Sequence, residues 1–252
     1  GVRAFFGCGG LLDVNLIVKD IVLSEGVFFG GSDSNSSFGY CNQLTNVIVA
    51  ASNRVEFGVS AFAGCSELQQ VVLTAGTEMN VGATVFSGCT ALRLASLTAG
   101  SEIKVGASAF SSCSYNSSSY GSCNQLTNVL VVASNRIEIG ASAFYNCSAL
   151  RKAAVVAPRT TTLGESVFSS CGGLQTVELP VGLVGVPQNA FSRCLALQSV
   201  SLSSNVTSIA YRAFDTCAAL KTVELSEGLR TIEAQAFYGC EALAELKIPQ
   251  SV

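Results

Sequence analysis

The 252-residue chain contains no histidine or tryptophan, one methionine and four prolines. Without histidine, the usual general base of an enzyme is missing, and no glycine-rich phosphate loop or serine-centred elbow suggests a cofactor or a nucleophile. The formal net charge is -3 with scattered lysines and arginines, so no basic surface for nucleic acid is expected. No apolar run reaches the roughly 18 residues that predict a transmembrane helix. These absences predict no cofactor, no nucleic-acid partner and no membrane span in this segment.

Eleven cysteines recur along the chain, mostly 23 or 24 residues apart. They are Cys8, Cys41, Cys65, Cys89, Cys113, Cys123, Cys147, Cys171, Cys194, Cys217 and Cys240. Nearly the same sequence motif surrounds each cysteine, as at residues 213–220, so every repeat has a phenylalanine, a cysteine and a leucine at fixed offsets. A repeat period between about 20 and 50 residues indicates a solenoid.

Each repeat reads as two short strands joined by turns. Residues 220–225 alternate between apolar and polar, which predicts a half-buried strand. A turn and a second apolar pair, here Leu229 and Ile232, follow it. The Phe-x-x-Cys-x-x-Leu segment is too short for a long helix and predicts a single helical or 3₁₀ turn. Stacked coils should place leucine on leucine, phenylalanine on phenylalanine and cysteine on cysteine in one continuous core.

The consensus Ala-Phe-x-x-Cys-x-x-Leu-x-x-Val-x-Leu, as at residues 190–202 and 213–225, resembles the BspA-like leucine-rich repeat family over essentially the whole chain. The resemblance implies a strand-dominated α/β-type repeat solenoid, right-handed and curved, with about ten coils. It also implies a surface protein that adheres to host or matrix proteins. A shared fold does not fix a shared partner.

The uninterrupted pattern predicts one solenoid domain over residues 1–252. The chain starts and stops within a repeat and lacks the polar caps that solenoid ends require, so we expect a segment of a longer protein. Two insertions, near residues 29–40 and 111–122, are rich in serine, asparagine and glycine. Both are followed by the same sequence, Cys-Asn-Gln-Leu-Thr-Asn-Val. They should emerge from the turn that holds Phe-x-x-Cys, away from the main strand row.

Four sequons mark candidate glycosylation sites on a secreted chain. Their acceptors are Asn35, Asn116, Asn146 and Asn205, the first two of which lie at matching places in the insertions. The cysteines should be buried free thiols, since an unpaired core cysteine behaves as a small apolar residue. Cys113 and Cys123 flank the second insertion and form a candidate disulfide, although Gly31 stands at the equivalent place in the first. Without histidine or Cys-x-x-Cys pairs, no metal site is expected.

Carboxylates offer the one catalytic alternative. Glu178 and Glu224 share a strand column two repeats apart, which predicts a separation of about 9 to 10 Å, near the upper limit for an inverting glycosidase pair. With Ser201 between them on an open sheet, nothing in the sequence buries either group. A solvated polar face is the preferred interpretation, and the chain is predicted not to be an enzyme.

The outward residues of the main strand change from apolar to polar along the chain. The apolar ones form the predicted partner-binding set, which is Ile48, Val72, Leu94, Leu130, Val132 and Val156. Such a patch can mark an interaction site, although β-branched residues also simply favour strands. The sequence therefore predicts a protein-binding module for adhesion or ligand recognition, extracellular or at the cell surface. The alternative is a structural subunit of a large intracellular or organellar assembly.

Overall fold

The computed structural model describes residues 2–29, 41–111 and 123–252. Within these ranges the chain forms short parallel strands joined by turns, and no helix occurs. The strands are β1 (Asp13–Leu23), β2 (Asn46–Phe57), β3 (Gln70–Ala75), β4 (Glu78–Val81), β5 (Leu94–Ala99), β6 (Glu102–Val105), β7 (Asn128–Ala133), β8 (Arg136–Ile139), β9 (Lys152–Val156), β10 (Thr161–Leu163), β11 (Thr176–Glu178), β12 (Gly185–Val186), β13 (Ser199–Ser201), β14 (Ser208–Ile209), β15 (Thr222–Glu224) and β16 (Thr231–Ile232).

Eleven strands form one parallel sheet that bends around the molecule. Its order is β10-β8-β6-β4-β2-β3-β5-β7-β9-β11, and β1 pairs with β2. The long strand β2 joins two rows, because residues 46–51 pair with β3 whereas residues 54–57 pair with β4. The main row continues through β3, β5, β7, β9 and β11, and the second row through β4, β6, β8 and β10. This is the predicted strand-dominated solenoid, one coil per repeat.

Both rows lose strand pairing at the same level of the solenoid. The last coils form separate sheets, β12-β14-β16 and β13-β15, and only an isolated bridge between Thr161 and Leu183 links β10 to the next coil. Two prolines stand at this junction. Pro180 follows β11, and Pro187 follows β12. Since proline has no N–H to donate, it interrupts a ladder where it falls within the sheet.

The core consists of the predicted ladders. The ladder leucines Leu44, Leu68, Leu92, Leu126, Leu150, Leu174, Leu197 and Leu220 are each 0% exposed. The phenylalanine ladder begins at Phe5 and Phe28, and consecutive rings stack with centroids 4.8 to 5.6 Å apart. This spacing matches the roughly 4.8 Å between paired strands, so each ring packs on the ring of the next coil.

The segment around each phenylalanine differs from the predicted single helical turn. It contains turn hydrogen bonds such as Cys65 N to Phe62 O, 3.3 Å, and Leu68 N to Cys65 O, 3.1 Å. Left-handed residues stand two positions before and, in most coils, two positions after the phenylalanine, as at Ser60 (φ 55°) and Gly64 (φ 77°). Because these residues leave the right-handed helical region on both sides, a helix cannot propagate there.

A glycine column follows the second strand in the 24-residue coils. It consists of Gly58, Gly82, Gly106, Gly140 and Gly164. An added Cβ would lie only 2.3 to 2.7 Å from backbone atoms of the preceding coil. In the shorter coils this position is occupied by Pro187, Ala210 and Glu233. The longer coils therefore depend on glycine for close backbone packing, and the shorter coils do not.

We predict that Gly106→Ala destabilises the protein by about 1–3 kcal/mol, the usual cost of overpacking. Its Cβ would meet Ala83 N and Gly82 C at 2.5 Å, both backbone atoms. Gly172→Ala is the matched control, because its Cβ would meet only Leu195 Cδ1 at 3.9 Å. Urea unfolding of both variants measures the effect. Equal midpoints for the two variants would contradict this account.

Candidate protein-binding surface

The outward side of β2, β3, β5, β7 and β9, together with Ile17 of β1, is called here the apolar face. Strand register arranges its side chains in three columns that run along the solenoid. The first contains Asn46, Gln70, Leu94, Asn128 and Lys152; the central one Ile48, Val72, Ser96, Leu130 and Ala154; the third Ala50, Thr74, Thr98, Val132 and Val156. The structure thus brings all six predicted partner-binding residues onto one surface.

Their exposure varies with position. Ile48, Leu130 and Val156 are 38%, 39% and 36% exposed. Val72, Leu94 and Val132 are half-buried, because neighbours in the adjacent coils cover part of each side chain. Ala154 is only 5% exposed and adds little accessible surface. The accessible apolar area is therefore concentrated on the larger side chains of the central and third columns.

Sequence reasoning missed Ile17, which is 86% exposed on β1. It is in register with Ala50 and extends the third column by one coil. The alternation of residues in the sequence could have placed Ile17 on this surface. Val14 and Leu16 align with the inward Val47 and Val49, so strand alternation directs Ile17 outward. The prediction started one coil too late.

Polar and charged side chains bound the apolar face at the end toward β11. Glu178 is in register with Ala154, and the exposed Lys152 begins β9. A shallow depression of about 220 Å³ lies there, lined in part by Val156, Pro158 and Val181. The apolar face therefore ends at β9, and the next coils present a polar surface.

The candidate catalytic carboxylates lie on that polar surface. Glu178 and Glu224 are both solvent-exposed. Ser201 stands between their coils and donates its hydroxyl to Glu224 Oε2 at 2.7 Å. Both carboxylates are therefore part of an open, solvated strand face.

The second strand row carries a contrasting, charged face. Arg54, Glu78, Glu102 and Arg136 form one outward column by register. In the neighbouring column, Glu138 forms ion pairs with Lys104 Nζ at 3.4 Å and with Arg136 Nη2 at 3.1 Å. Exposed pairs of this kind contribute about 0–1 kcal/mol each. The two faces therefore differ in chemistry although the same coils build them.

The cysteines form a hydrogen-bonded column inside the coils. The ten cysteines in the described ranges are free thiols, and eight of them are buried. From Cys41 onward, each donates its S–H to the carbonyl of the phenylalanine one coil earlier, with S···O distances of 3.0 to 3.7 Å. Burial raises the pKa of Cys123 and of Cys171 to about 12. These thiols fill the core and satisfy backbone carbonyls.

The remaining predicted modifications are only partly described. Cys113 lies outside the described residues, so its bridge to Cys123 stays a prediction; Cys123 Sγ donates to Phe86 O at 3.3 Å. Asn35 and Asn116 lie outside them as well. Asn146 and Asn205 are exposed, and the Asn205 amide donates to Val181 O at 2.9 Å. Glycosylation at all four asparagines remains a prediction.

Two further searches covered the described part of the chain. Among residues 2–29, 41–111 and 123–252, no group of three histidine, cysteine, aspartate or glutamate residues is arranged to hold a metal ion. The same residues contain no helix long and apolar enough to cross a membrane.

Comparison with protein families gives a match along the whole sequence. The model for the BspA type leucine rich repeat region matches in six copies, over residues 1–117, 32–156 and 137–252. The three overlapping matches together span the chain from end to end. No curated protein matches the sequence.

Several solved bacterial structures are similar at low identity. A T. pallidum leucine-rich repeat protein is 24% identical, with 89% of this chain and 79% of that chain covered and a TM-score of 0.48. A leucine-rich repeat protein from Eubacterium ventriosum is 19% identical, with 93% and 80% covered and a TM-score of 0.44. A leucine rich cell surface protein from Faecalibacterium prausnitzii is 18% identical, with 92% and 78% covered and a TM-score of 0.42.

The raised thiol pKa values predict a loss of stability at alkaline pH. A Cys171 thiol ionises near its ordinary value of 9.0 in the unfolded chain but only at about 12 in the folded protein. The stabilisation that the folded protein gains from the neutral Cys171 thiol is therefore complete below pH 9 and is lost as the pH rises toward 12. The free energy of unfolding should fall by about 1.4 kcal/mol per pH unit for each such thiol.

Cys171→Ala isolates this effect from tyrosine and lysine titration. Chemical unfolding of both proteins between pH 8 and pH 11 should give curves that converge as pH rises, because the variant lacks one titrating thiol. Parallel curves would show that this thiol ionises equally in the folded and unfolded states.

Proposed function

Because the chain belongs to the BspA-type leucine-rich repeat family, we propose that it is a non-enzymatic module that binds a protein partner through its apolar face. Ile48, Val72, Leu94 and Leu130 form the centre of the contact. The observation that carries the proposal is a group of large apolar side chains left accessible on interior strands, where outward positions of a solvated sheet are otherwise polar.

Association through this face would remove apolar surface from water, which stabilises a complex by roughly 25 cal/mol for each Å² buried. Residues on rigid, paired strands lose little conformational freedom on binding, so less of that gain is offset by ordering. Val132, Val156 and the additional Ile17 extend the contact toward its edges. The arrangement supports recognition by shape and apolar packing.

The proposed location is the cell surface or the extracellular space, with adhesion as the biological role. The resemblance to BspA-like surface proteins supports this part of the proposal. Secretion would make Asn146 and Asn205 accessible acceptors for sugar, together with Asn35 and Asn116 in the inserted segments.

A charge-introducing variant of the apolar face tests the proposed contact. Val72→Glu combined with Leu130→Glu should weaken binding of the native partner at least tenfold, because two carboxylates would be desolvated in the interface. Binding is measured by surface plasmon resonance against partner purified from the native source. Both side chains point outward, so the thermal unfolding temperature should change little.

The matched control places the same charges on the charged face of the second strand row. Asn80→Glu combined with Thr162→Glu alters two exposed second-row positions and should leave partner binding unchanged. If both double variants bind as the unaltered protein does, the apolar face is not the contact and the proposal is overturned.

A second candidate function is a structural subunit of an intracellular or organellar assembly. The ten free thiols in the described ranges favour it, because proteins in oxidising compartments often pair their cysteines. Burial of eight of them weakens that inference, since a buried thiol reacts slowly in either compartment. The apolar face would then be covered by neighbouring subunits.

Intact mass of the native protein, with and without alkylation before reduction, separates the two candidates. We expect sugar on at least one of Asn35, Asn116, Asn146 and Asn205, or a bridge between Cys113 and Cys123, as follows from a secretory route. Peptide mapping assigns any excess mass. A bare polypeptide with eleven free thiols would instead support the assembly subunit.

A further inference from the structure

The interior strands of the apolar face have both edges occupied. β2 pairs with β1 and β3, and each following strand through β9 pairs with a neighbour on either side. Their ladder donors and acceptors are therefore already used. An extended peptide lying on this face would leave its own backbone groups unpaired against apolar side chains, which is unfavourable.

The dimensions of the apolar face limit the size of its partner. Five strand intervals, from Ile17 on β1 to Val156 on β9, give a length of about 24 Å. Three columns separated by two residues each give a width of about 13 Å, although the first column is polar except for Leu94. The resulting area of about 300 Å² is well below the roughly 800 Å² that each subunit of a stable protein dimer usually buries. A second copy of this chain is therefore a poor fit.

We propose that the occupant of the apolar face is a single amphipathic α-helix of a partner protein, lying along the solenoid axis. This inference rests on the proposed function and specifies its partner. A helix satisfies its own backbone hydrogen bonds, so it requires only side-chain contacts from the sheet. A helix of about 16 residues is about 24 Å long and 10–12 Å wide. It therefore matches the length of the apolar face, with its apolar stripe over the central and third columns and one flank over the mostly polar first column.

Large and small side chains alternate along the central column at a spacing close to that of residues on one side of a helix. Small side chains at Ser96 and Ala154 alternate with the larger Val72 and Leu130. The two low points lie two strand intervals apart, or about 9.6 Å. Residues i and i+7 of a helix are about 10.5 Å apart along its axis. Two apolar side chains of the helix therefore fit over Ser96 and Ala154, with Leu130 between them.

Charged residues set the end of the helix-binding site. Lys152 and Glu178 flank Ala154 from neighbouring positions, and both are exposed. A helix that continued past β9 would place its apolar stripe over the Glu178 carboxylate. The apolar stripe of the partner is thus expected to end there and to be followed by polar residues.

Selection from a displayed library of random peptides of about 16 residues tests this inference without a known partner. The unaltered protein is the target, and the Val72→Glu, Leu130→Glu variant removes peptides that bind elsewhere. Enriched sequences should carry apolar residues at i, i+3 or i+4, and i+7. Synthetic versions should become helical on binding by circular dichroism, and a central proline should weaken them at least tenfold.

A variant of the protein itself provides a second readout. Ser96→Leu fills one of the two low points and should weaken the selected peptides at least tenfold while leaving the fold intact. Thr162→Leu adds the same side chain on the charged face and should have no effect. Equal peptide binding by the two variants would overturn the proposed position of the helix over Ser96.

The outcomes also separate this inference from the proposed function. Enriched peptides that discriminate the apolar face but tolerate proline or lack helical spacing would overturn the helix while leaving a protein-binding face. The absence of any discriminating peptide would overturn the helix as well, and the native-partner assay then decides the broader proposal by itself. Dimers that dissociate in the Val72→Glu, Leu130→Glu variant would assign the face to a second copy of the chain.

Discussion

Every coil must reproduce the backbone path of its neighbour at the spacing of one β-strand, and the rest of the structure depends on that constraint. Parallel ladder bonds set the spacing, and stacked rings from Phe5 to Phe237 repeat at nearly the same distance in the core. Inward positions are consequently mostly phenylalanine, leucine, cysteine and small or branched apolar residues, with Met79, Thr161 and a few serines among them. Outward positions carry no such restriction, and variation between coils is found there.

Two lengths of coil satisfy the same constraint in different ways. The 24-residue coils bring backbones so close after the second strand that only glycine fits, as at Gly82 and Gly106. The 23-residue coils have shorter strands and place Pro187 or Ala210 at that position. The phenylalanine ladder crosses the junction between the two types, with Phe168 and Phe191 5.6 Å apart, while strand pairing does not. Ring stacking and turn hydrogen bonds such as Phe168 N to Ala190 O, 2.9 Å, therefore maintain continuity where strand pairing is interrupted.

Repetition made the core predictable from the sequence, since a residue type that recurs every 23 or 24 positions can only stack on itself. The six residues of the apolar face followed from strand alternation for the same reason. Most of the left-handed residues two positions before the phenylalanines were not predictable, because Ser60, Thr84 and Arg212 are not residue types that signal positive φ. The interruption between coils also escaped prediction, since it depends on which backbone donors are missing at one level of the whole solenoid.

Recognition on such a scaffold must rely on side chains, because the interior strands have no backbone groups left to offer. That separation allows the apolar face and the charged face to differ while identical ladders lie beneath them. In the proposed function, a change at Val72 or Leu130 would alter partner binding, whereas a change at Phe86 or Cys123 would alter the stacking of the coils. The buried thiols reinforce the separation, because burial raises the pKa of Cys123 and Cys171 to about 12 and keeps these core side chains neutral well above pH 9. In the proposed function, the partner is therefore recognised by the outward columns alone, and their size and relief favour a helix over a broad protein surface.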